Sequence, residues 1–230
     1  MKKYIKPLFG PAYHALKRAY WRRRRDAAFR QYAAAAGEPK LHIGCGKQVR
    51  PGWFNTDFQP FYEGAYYLDG TKPFPFPDNT FDRAFSEHMI EHVTYEQGRH
   101  FLRELYRVMK PDGRVRIATP NLRTLAALYA EPQSEEQRTY IKTVIDTYNP
   151  TVGDHLAGFA INQLFGFNHL FLYDRDTLGL ILKQAGFVKV EEYSSERTED
   201  VAFRGMDAHA NDYICYETLV LEAAKPPAGK

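Results

Sequence analysis

Gly44 and Gly46 flank a single residue directly after the short apolar stretch Leu41-His42-Ile43. A glycine turn at the end of a first strand is how doubly wound sheets admit a cofactor to the backbone. With no Cβ, both positions leave open an approach that a side chain would close. Asp57 follows 13 positions after Gly44, at the end of the next expected strand, where a carboxylate accepts hydrogen bonds from ribose hydroxyls. In dinucleotide-binding folds that acid stands about 20 positions on. The shorter gap leaves little room for a helix to hold a pyrophosphate, and so argues against NAD. The second chemical group is histidine, whose imidazole serves as a general base near neutral pH. The candidates are His88, His92, His155 and His169. His155 follows Asp154, a pair that reads either as a base with its orienting acid or as an ordinary helix cap. His92 is expected to hold a loop. No Cys/His cluster has metal-ligand spacing, so no metal ion is expected.

These residues need a scaffold, and the chain supplies alternating strands and helices. Strands are expected at Leu41–Ile43, Trp53–Phe58, Ala65–Leu68, Phe81–Phe85, Arg114–Ala118, Phe187–Tyr193 and Tyr213–Leu221. Residues 8–36 read as a helix. Residues 94–109 form another, with Phe101, Leu102, Leu105, Val108 and Met109 on one face, ended by Pro111-Asp112-Gly113. A third is expected over 174–185, with Asp174 as N-cap and Gly186 as C-cap. The prolines of Lys72–Asn79 mark a loop. This alternation predicts an α/β fold: a mostly parallel seven-stranded sheet with helices on both faces and an antiparallel last strand.

The chain has 230 residues, 44% of them apolar, with 16 Phe and 16 Tyr. That suits one packed domain and argues against disorder. No apolar run is long enough to span a bilayer, and the N-terminus lacks the apolar core of a signal peptide. Cys45 and Cys215 are too few for a disulfide framework, so a reduced, cytoplasmic setting is expected. The net charge of +3 is unevenly spread: residues 1–40 hold 11 Lys or Arg against Asp26 and Glu38, leaving the remainder net acidic. Residues 1–37 are therefore read as a basic helical extension that attracts anionic surfaces. Residues 38–224 are the main domain, and 225–230 a disordered tail.

His42-Ile43-Gly44-Cys45-Gly46 and Pro51-Gly52-Trp53-Phe54-Asn55-Thr56-Asp57 resemble the first two motifs of the class I S-adenosylmethionine-dependent methyltransferases. More narrowly, they resemble small bacterial enzymes (type 11-like) associated with surface polysaccharide biosynthesis. Leu68-Asp69, Phe74–Asp82, Ser86-Glu87-His88-Met89-Ile90-Glu91-His92 and Leu102–Gly113 continue the match, which covers roughly residues 40–192. The resemblance implies a Rossmann-like fold and S-adenosylmethionine as cofactor. Gly44, Cys45 and Gly46, entered from Ile43, would pass beneath its methionine portion. Asp57, followed by Phe58, would hold the ribose; Asp69 with Gly70 would flank the adenine; and Ser86, Glu87 and His88 would border the sulfonium. One departure is visible: many members carry an acid near the position of His42.

The resemblance also points to an acceptor. Residues 121–173 form a long insertion where class I enzymes build acceptor specificity, rich in Tyr and Phe that either stack on flat acceptors or pack beneath a lid. The implied acceptor is a hydroxyl, by analogy that of a sugar in a surface glycan or its lipid-linked precursor. His88, His169, and His155 with Asp154 are the catalytic candidates. The basic helix would rest on the anionic inner face of the membrane through residues 1–30, in preference to nucleic acid, or else pack on the domain. Rival readings are another small-molecule methyltransferase, an NAD-dependent oxidoreductase, and a non-catalytic membrane- or nucleic-acid-binding protein of this fold.

Overall fold

The computed structural model describes residues 10–195, 197–207 and 212–229. The start of the expected first helix, at residues 8 and 9, lies outside them. Seven strands form one sheet in the order β3-β2-β1-β4-β5-β7-β6. They are β1 (Lys40–Ile43), β2 (Phe54–Asp57), β3 (Ala65–Tyr67), β4 (Phe81–Glu87), β5 (Met109–Pro120), β6 (Val188–Tyr193) and β7 (Thr218–Ala224). The pairs from β3 through β5 are parallel, and β7 runs antiparallel to both β5 and β6. The expected mostly parallel sheet with an antiparallel last strand is the one observed.

One face of the sheet carries the largest core. Leu41, Ile43, Phe54, Phe81, Val115 and Ile117 pack there against α2 (Tyr95–Val108) and α6 (Arg175–Ala185) through Phe101, Leu102, Leu105, Leu178 and Leu182. Both helices have the expected start signals: Thr94 and Gln97 cap α2 reciprocally, and Asp174 caps α6. Gly186, at φ 111°, ends α6 in the left-handed region. The opposite face is covered by residues 197–207, whose 3-10 turn (Val201–Phe203) brings Phe203 and Met206 onto Trp53 and Phe85.

The long helix α1 (Pro11–Ala35) has no sustained apolar stripe, so tertiary contacts must hold it. They lie in its second half. Trp21 stacks on Tyr67 at 5.8 Å, and the buried Arg25 donates to the Tyr67 carbonyl at 3.2 Å. Phe29 packs among Phe54, Phe76 and Phe81. This helix thus covers strands that have no helix between them: only ten residues separate β1 from β2.

Three expectations are corrected. The chain turns from α2 straight into β5 at Met109, so Pro111-Asp112-Gly113 lies within the strand segment and does not end the helix. There Asp112 takes φ 61° and donates to the Lys225 carbonyl, while Lys225 N–H donates to Gly113. The same contacts pin Lys225, which had been placed in the loose tail; its ammonium also donates to Asn79 Oδ1 and to the carbonyls of Tyr106 and Met109. Finally, Tyr213–Leu221 is not one strand. Pairing with β5 stops at Pro120 opposite Thr218, and the chain before it coils into α7 (Asp212–Glu217). Residues 121–173 hold three further helices, α3 (Leu122–Ala127), α4 (Glu135–Tyr148) and α5 (Ala157–Gly166). They share a core of Leu125, Leu128, Ile141, Ile145, Ala160 and Leu164.

Candidate active site

The C-terminal ends of β1, β2, β4 and β5 open at one edge of the sheet, the place where open α/β sheets bind ligands. Gly44 has φ 73°, and a Cβ there would stand 2.9 Å from the Met89 Cβ. Gly46 has φ 49° and open space where a side chain would be. The turn is tied to the next strand twice: Cys45 N–H donates to the Thr56 carbonyl at 3.0 Å, and Gly46 N–H to Asp57 Oδ2 at 2.9 Å. The other oxygen of Asp57 accepts from Gln59 N–H at 2.7 Å. Asp57 is therefore oriented by two backbone amides, each leaving lone pairs for a hydroxyl. Asp69 accepts from the Thr71 amide and hydroxyl through Oδ1. Phe58 is exposed beside this edge, Gly70 packs near Met89 and Phe101, and the Ser86 hydroxyl is buried without a protein partner. Burial pushes the Cys45 thiol up to about 12, which suits a packed residue and not a nucleophile.

His42 does not replace the missing acid. Its ring is turned away from the glycine turn, against Phe85, with Nδ1 at 3.1 Å from Asn55 Oδ1. Burial lowers its pKa to about 4, so it is neutral. Through Asn55, which also bonds Arg50 and Trp53, it braces the loop after the glycine turn.

A second group forms where β4 and β5 end. His88 has φ 45° and donates its backbone N–H to the Ala118 carbonyl. Its Nδ1 stands 3.2 Å from Oε1 of Glu91, a fully buried carboxylate that also accepts from Thr119 Oγ1 at 3.0 Å. Burial alone would lower the His88 pKa, but the Glu91 hydrogen bond and charge outweigh it and leave it raised. Glu91 is held below the carboxylate range for the complementary reason, its own burial being outweighed by His88. His169 is delivered by the chain before α6, where the amides of Leu170 and Phe171 both donate to the Glu91 carbonyl. Its Nε2 lies 4.0 Å from Glu91 Oε1, its ring packs edge-on to His92, and burial lowers its pKa.

These histidines line a cavity of about 220 Å³ that they share with Tyr140, Tyr148, Phe167, Tyr213 and Glu217. At its wall the Tyr140 hydroxyl hydrogen-bonds to Glu217, whose pKa burial raises. Gln163 lines the same cavity. His155 and Asp154 are not brought there. His155 pairs with Asp146 at 3.0 Å on the outer side of α4, and Asp154 is exposed. The adjacent Asp-His pair fails because the residues before α5 turn the imidazole back onto α4. Sequence reasoning missed Glu91, Thr119 and Glu217. Glu91 had a local signal, three positions after His88 on a short turn, whereas the others meet the site only through tertiary structure. It also missed that Glu91, His92 and His169 place potential ligand atoms within 4.8 Å of one another.

Residues 61–117 match the model of the "Methyltransferase domain" family. A structure described as a SAM-dependent methyltransferase from Archaeoglobus fulgidus superposes with TM-score 0.53 at 20% identity, covering 93% of this chain and all of the other. The fold is that of the class I S-adenosylmethionine-dependent methyltransferases. S-adenosylmethionine is the cofactor that goes with this fold, and the open cradle at Gly46 beside the oriented Asp57 carboxylate fits it. Two relatives named ubiquinone/menaquinone biosynthesis C-methyltransferase, from Citrobacter koseri and Escherichia coli, are 28% and 29% identical over 130 residues, 56% of this chain. The chain spans about half the length of these curated relatives.

Proposed function

We propose that this chain transfers a methyl group from S-adenosylmethionine to an acceptor bearing a hydroxyl, bound in the cavity over His88. The observation that carries this reading is the His88–Glu91 pair, set at the cavity wall next to the end of β4. The bound cofactor supplies an activated methyl on a sulfonium. Asp57 and the turn at Ile43–Gly46 hold it, with Phe58, Asp69, Gly70, Ser86 and Glu87 around it. The protein's remaining work is alignment, exclusion of water and handling of the acceptor proton. His88, oriented by Glu91, takes that proton when its imidazole is neutral. His169 faces the same space, and the helices of residues 121–173 close it as the acceptor side. His155 and Asp154 have no part in this reading.

The sugar hydroxyl of a surface glycan is one such acceptor, supported by ring-lined walls and by the amide of Gln163. A second reading is a hydroxylated aromatic ring methylated at carbon. The mainly aromatic and aliphatic lining and the C-methyltransferase relatives favour it. Both need the same base. Incubating the protein with labelled S-adenosylmethionine and two acceptor panels, glycans and hydroquinones, tests them. Methylated product from one panel that His88→Ala abolishes supports that acceptor class. A folded, cofactor-binding protein that methylates neither sinks both.

The same reading extends to α1. Among the described residues, no helix is long and apolar enough to cross a membrane. The outer half of α1 instead exposes Tyr13, Leu16 and Tyr20 among Lys17, Arg18, Arg22 and Arg23. Aromatic and cationic side chains in this mixture suit the surface of an anionic bilayer. Sedimentation with phosphatidylglycerol vesicles but not with phosphatidylcholine is the expected result; equal recovery with both would end the proposal.

A further inference from the structure

We infer that Glu91, His92 and His169 form a binding site for a first-row divalent transition metal at the wall of the acceptor cavity. The three residues lie on two segments 77 positions apart, and their potential ligand atoms fall within 4.8 Å of one another. Their meeting is built into the backbone. The amides of Leu170 and Phe171 both bond the Glu91 carbonyl, at 2.7 and 3.2 Å, which fixes the chain bearing His169 against the turn bearing Glu91 and His92. Two non-glycine residues with left-handed φ, His88 at 45° and Asn168 at 64°, sit beside the group.

The contacts within the group are those of a cation site more than of a closed hydrogen-bond cluster. His169 Nε2 is 4.0 Å from Glu91 Oε1, too far for a hydrogen bond. Ligands at about 2.0–2.2 Å from one ion can span that separation, with roughly an ångström of closure for the widest pair. His92 is exposed at the end of its 3-10 turn and is the ligand that can swing to supply it. The carboxylate is already oriented from outside by His88 Nδ1 and Thr119 Oγ1, the kind of outer hydrogen bond that fixes a metal-bound group. Two imidazoles and one carboxylate select zinc, iron, manganese or cobalt over magnesium or calcium, which prefer all-oxygen shells. Three protein ligands leave coordination positions toward the cavity. There the ion would polarise a bound hydroxyl oxygen. That role rests on the methyltransferase reading; metal binding itself does not.

The test uses the full chain after dialysis against a chelator, with Co²⁺ as the probe. The expected result is a visible d–d absorption band that saturates near one equivalent and is competed by Zn²⁺. His92→Ala and His169→Ala should each weaken binding at least tenfold, while His14→Gln, on the exposed face of α1, should leave it unchanged. S-adenosylhomocysteine calorimetry on the same samples checks folding and separates the two proposals. Wild type that binds S-adenosylhomocysteine but no more Co²⁺ than His92→Ala overturns the metal site alone. Saturable Co²⁺ binding without cofactor affinity overturns the methyltransferase reading and keeps the site.

Discussion

Strand β5 carries two buried charge clusters within four residues, and they are built to opposite ends. From Arg116, fully buried, the guanidinium reaches to the face covered by residues 197–207. It donates to Glu222 Oε1 at 2.7 Å, Asp207 Oδ2 at 2.6 Å and the Arg197 carbonyl at 3.0 Å. Thr198 and Arg114 add further bonds to Glu222, and Arg83 reaches Asp200 at 2.5 Å. From Thr119 the hydroxyl donates to Glu91 Oε2, and the other oxygen of Glu91 pairs with His88, which lines the acceptor cavity. The first cluster clamps a segment that has little regular structure of its own. The second has fewer bonds per charge and borders open space. Dense pairing that ties segments together serves the fold, whereas sparse pairing beside a cavity leaves valence for a ligand.

Breaking the first cluster should give the largest effect. Arg116→Met leaves Glu222 and Asp207 buried without their shared cation, and urea denaturation should show a loss of about 3–5 kcal/mol. A loss under about 1 kcal/mol would mean that residues 197–207 are held mainly by Phe203, Met206 and the Arg83–Asp200 pair. Next in size is Asp57→Ala on the cofactor side. Removing a charged acceptor should weaken S-adenosylhomocysteine binding by roughly tenfold to a hundredfold, on the order of 1.5–3 kcal/mol. Calorimetry that finds the affinity intact would move the ribose contact elsewhere.

The second cluster should answer to pH before it answers to denaturant. With the His88 pKa raised above its ordinary 6.5, neutral base becomes available only above that raised value, so the acidic limb of the rate profile should lie there. Glu91→Gln removes the charge responsible and should move that limb to lower pH while reducing the rate. The stability of the pair has the matching signs. His88 contributes fully below its unfolded pKa and loses the contribution as pH rises through its raised folded value. Glu91 contributes above its unfolded pKa and loses it as pH falls through its lowered folded value. The pair is therefore most stabilising between the two, and a pH-independent ratio of wild-type to Glu91→Gln rates would separate His88 from the proton transfer.

The two clusters also differ in how far the sequence discloses them. Gly44, Gly46 and Asp57 were legible because their geometry is local: a turn, a short strand and two backbone amides lie within 16 residues. The sheet was legible for the same reason, since period and punctuation mark each element. Arg116, Asp207 and Glu222 carry no such signal, because their pairing depends on strand order and on a segment with no periodicity. The acceptor cavity is intermediate. His88 and His169 were found by residue type, but Tyr140 and Glu217 arrive on α4 and α7, and α7 had been read as strand. The pattern of Tyr213 to Glu217 fits both, and only the end of β5 decides it.

His155 sharpens the contrast at the smallest scale. By sequence it stands next to an acid, as a catalytic dyad would, and it was a candidate base on that ground. In the fold it is paired with Asp146, half-exposed, and beside a separate surface hollow formed with Tyr129, Phe159 and Asn162. The Asp146 carboxylate is held below its usual range first by Lys142 and then by His155, so it keeps a cationic partner if the imidazole is lost. An exposed pair of this kind contributes little. His155→Ala should therefore leave turnover within about twofold and the melting temperature nearly unchanged, as measured beside His88→Ala in the same acceptor assay. A loss of turnover at constant cofactor affinity would mean that the acceptor extends across α5 into the outer hollow, joining the two spaces into one binding groove.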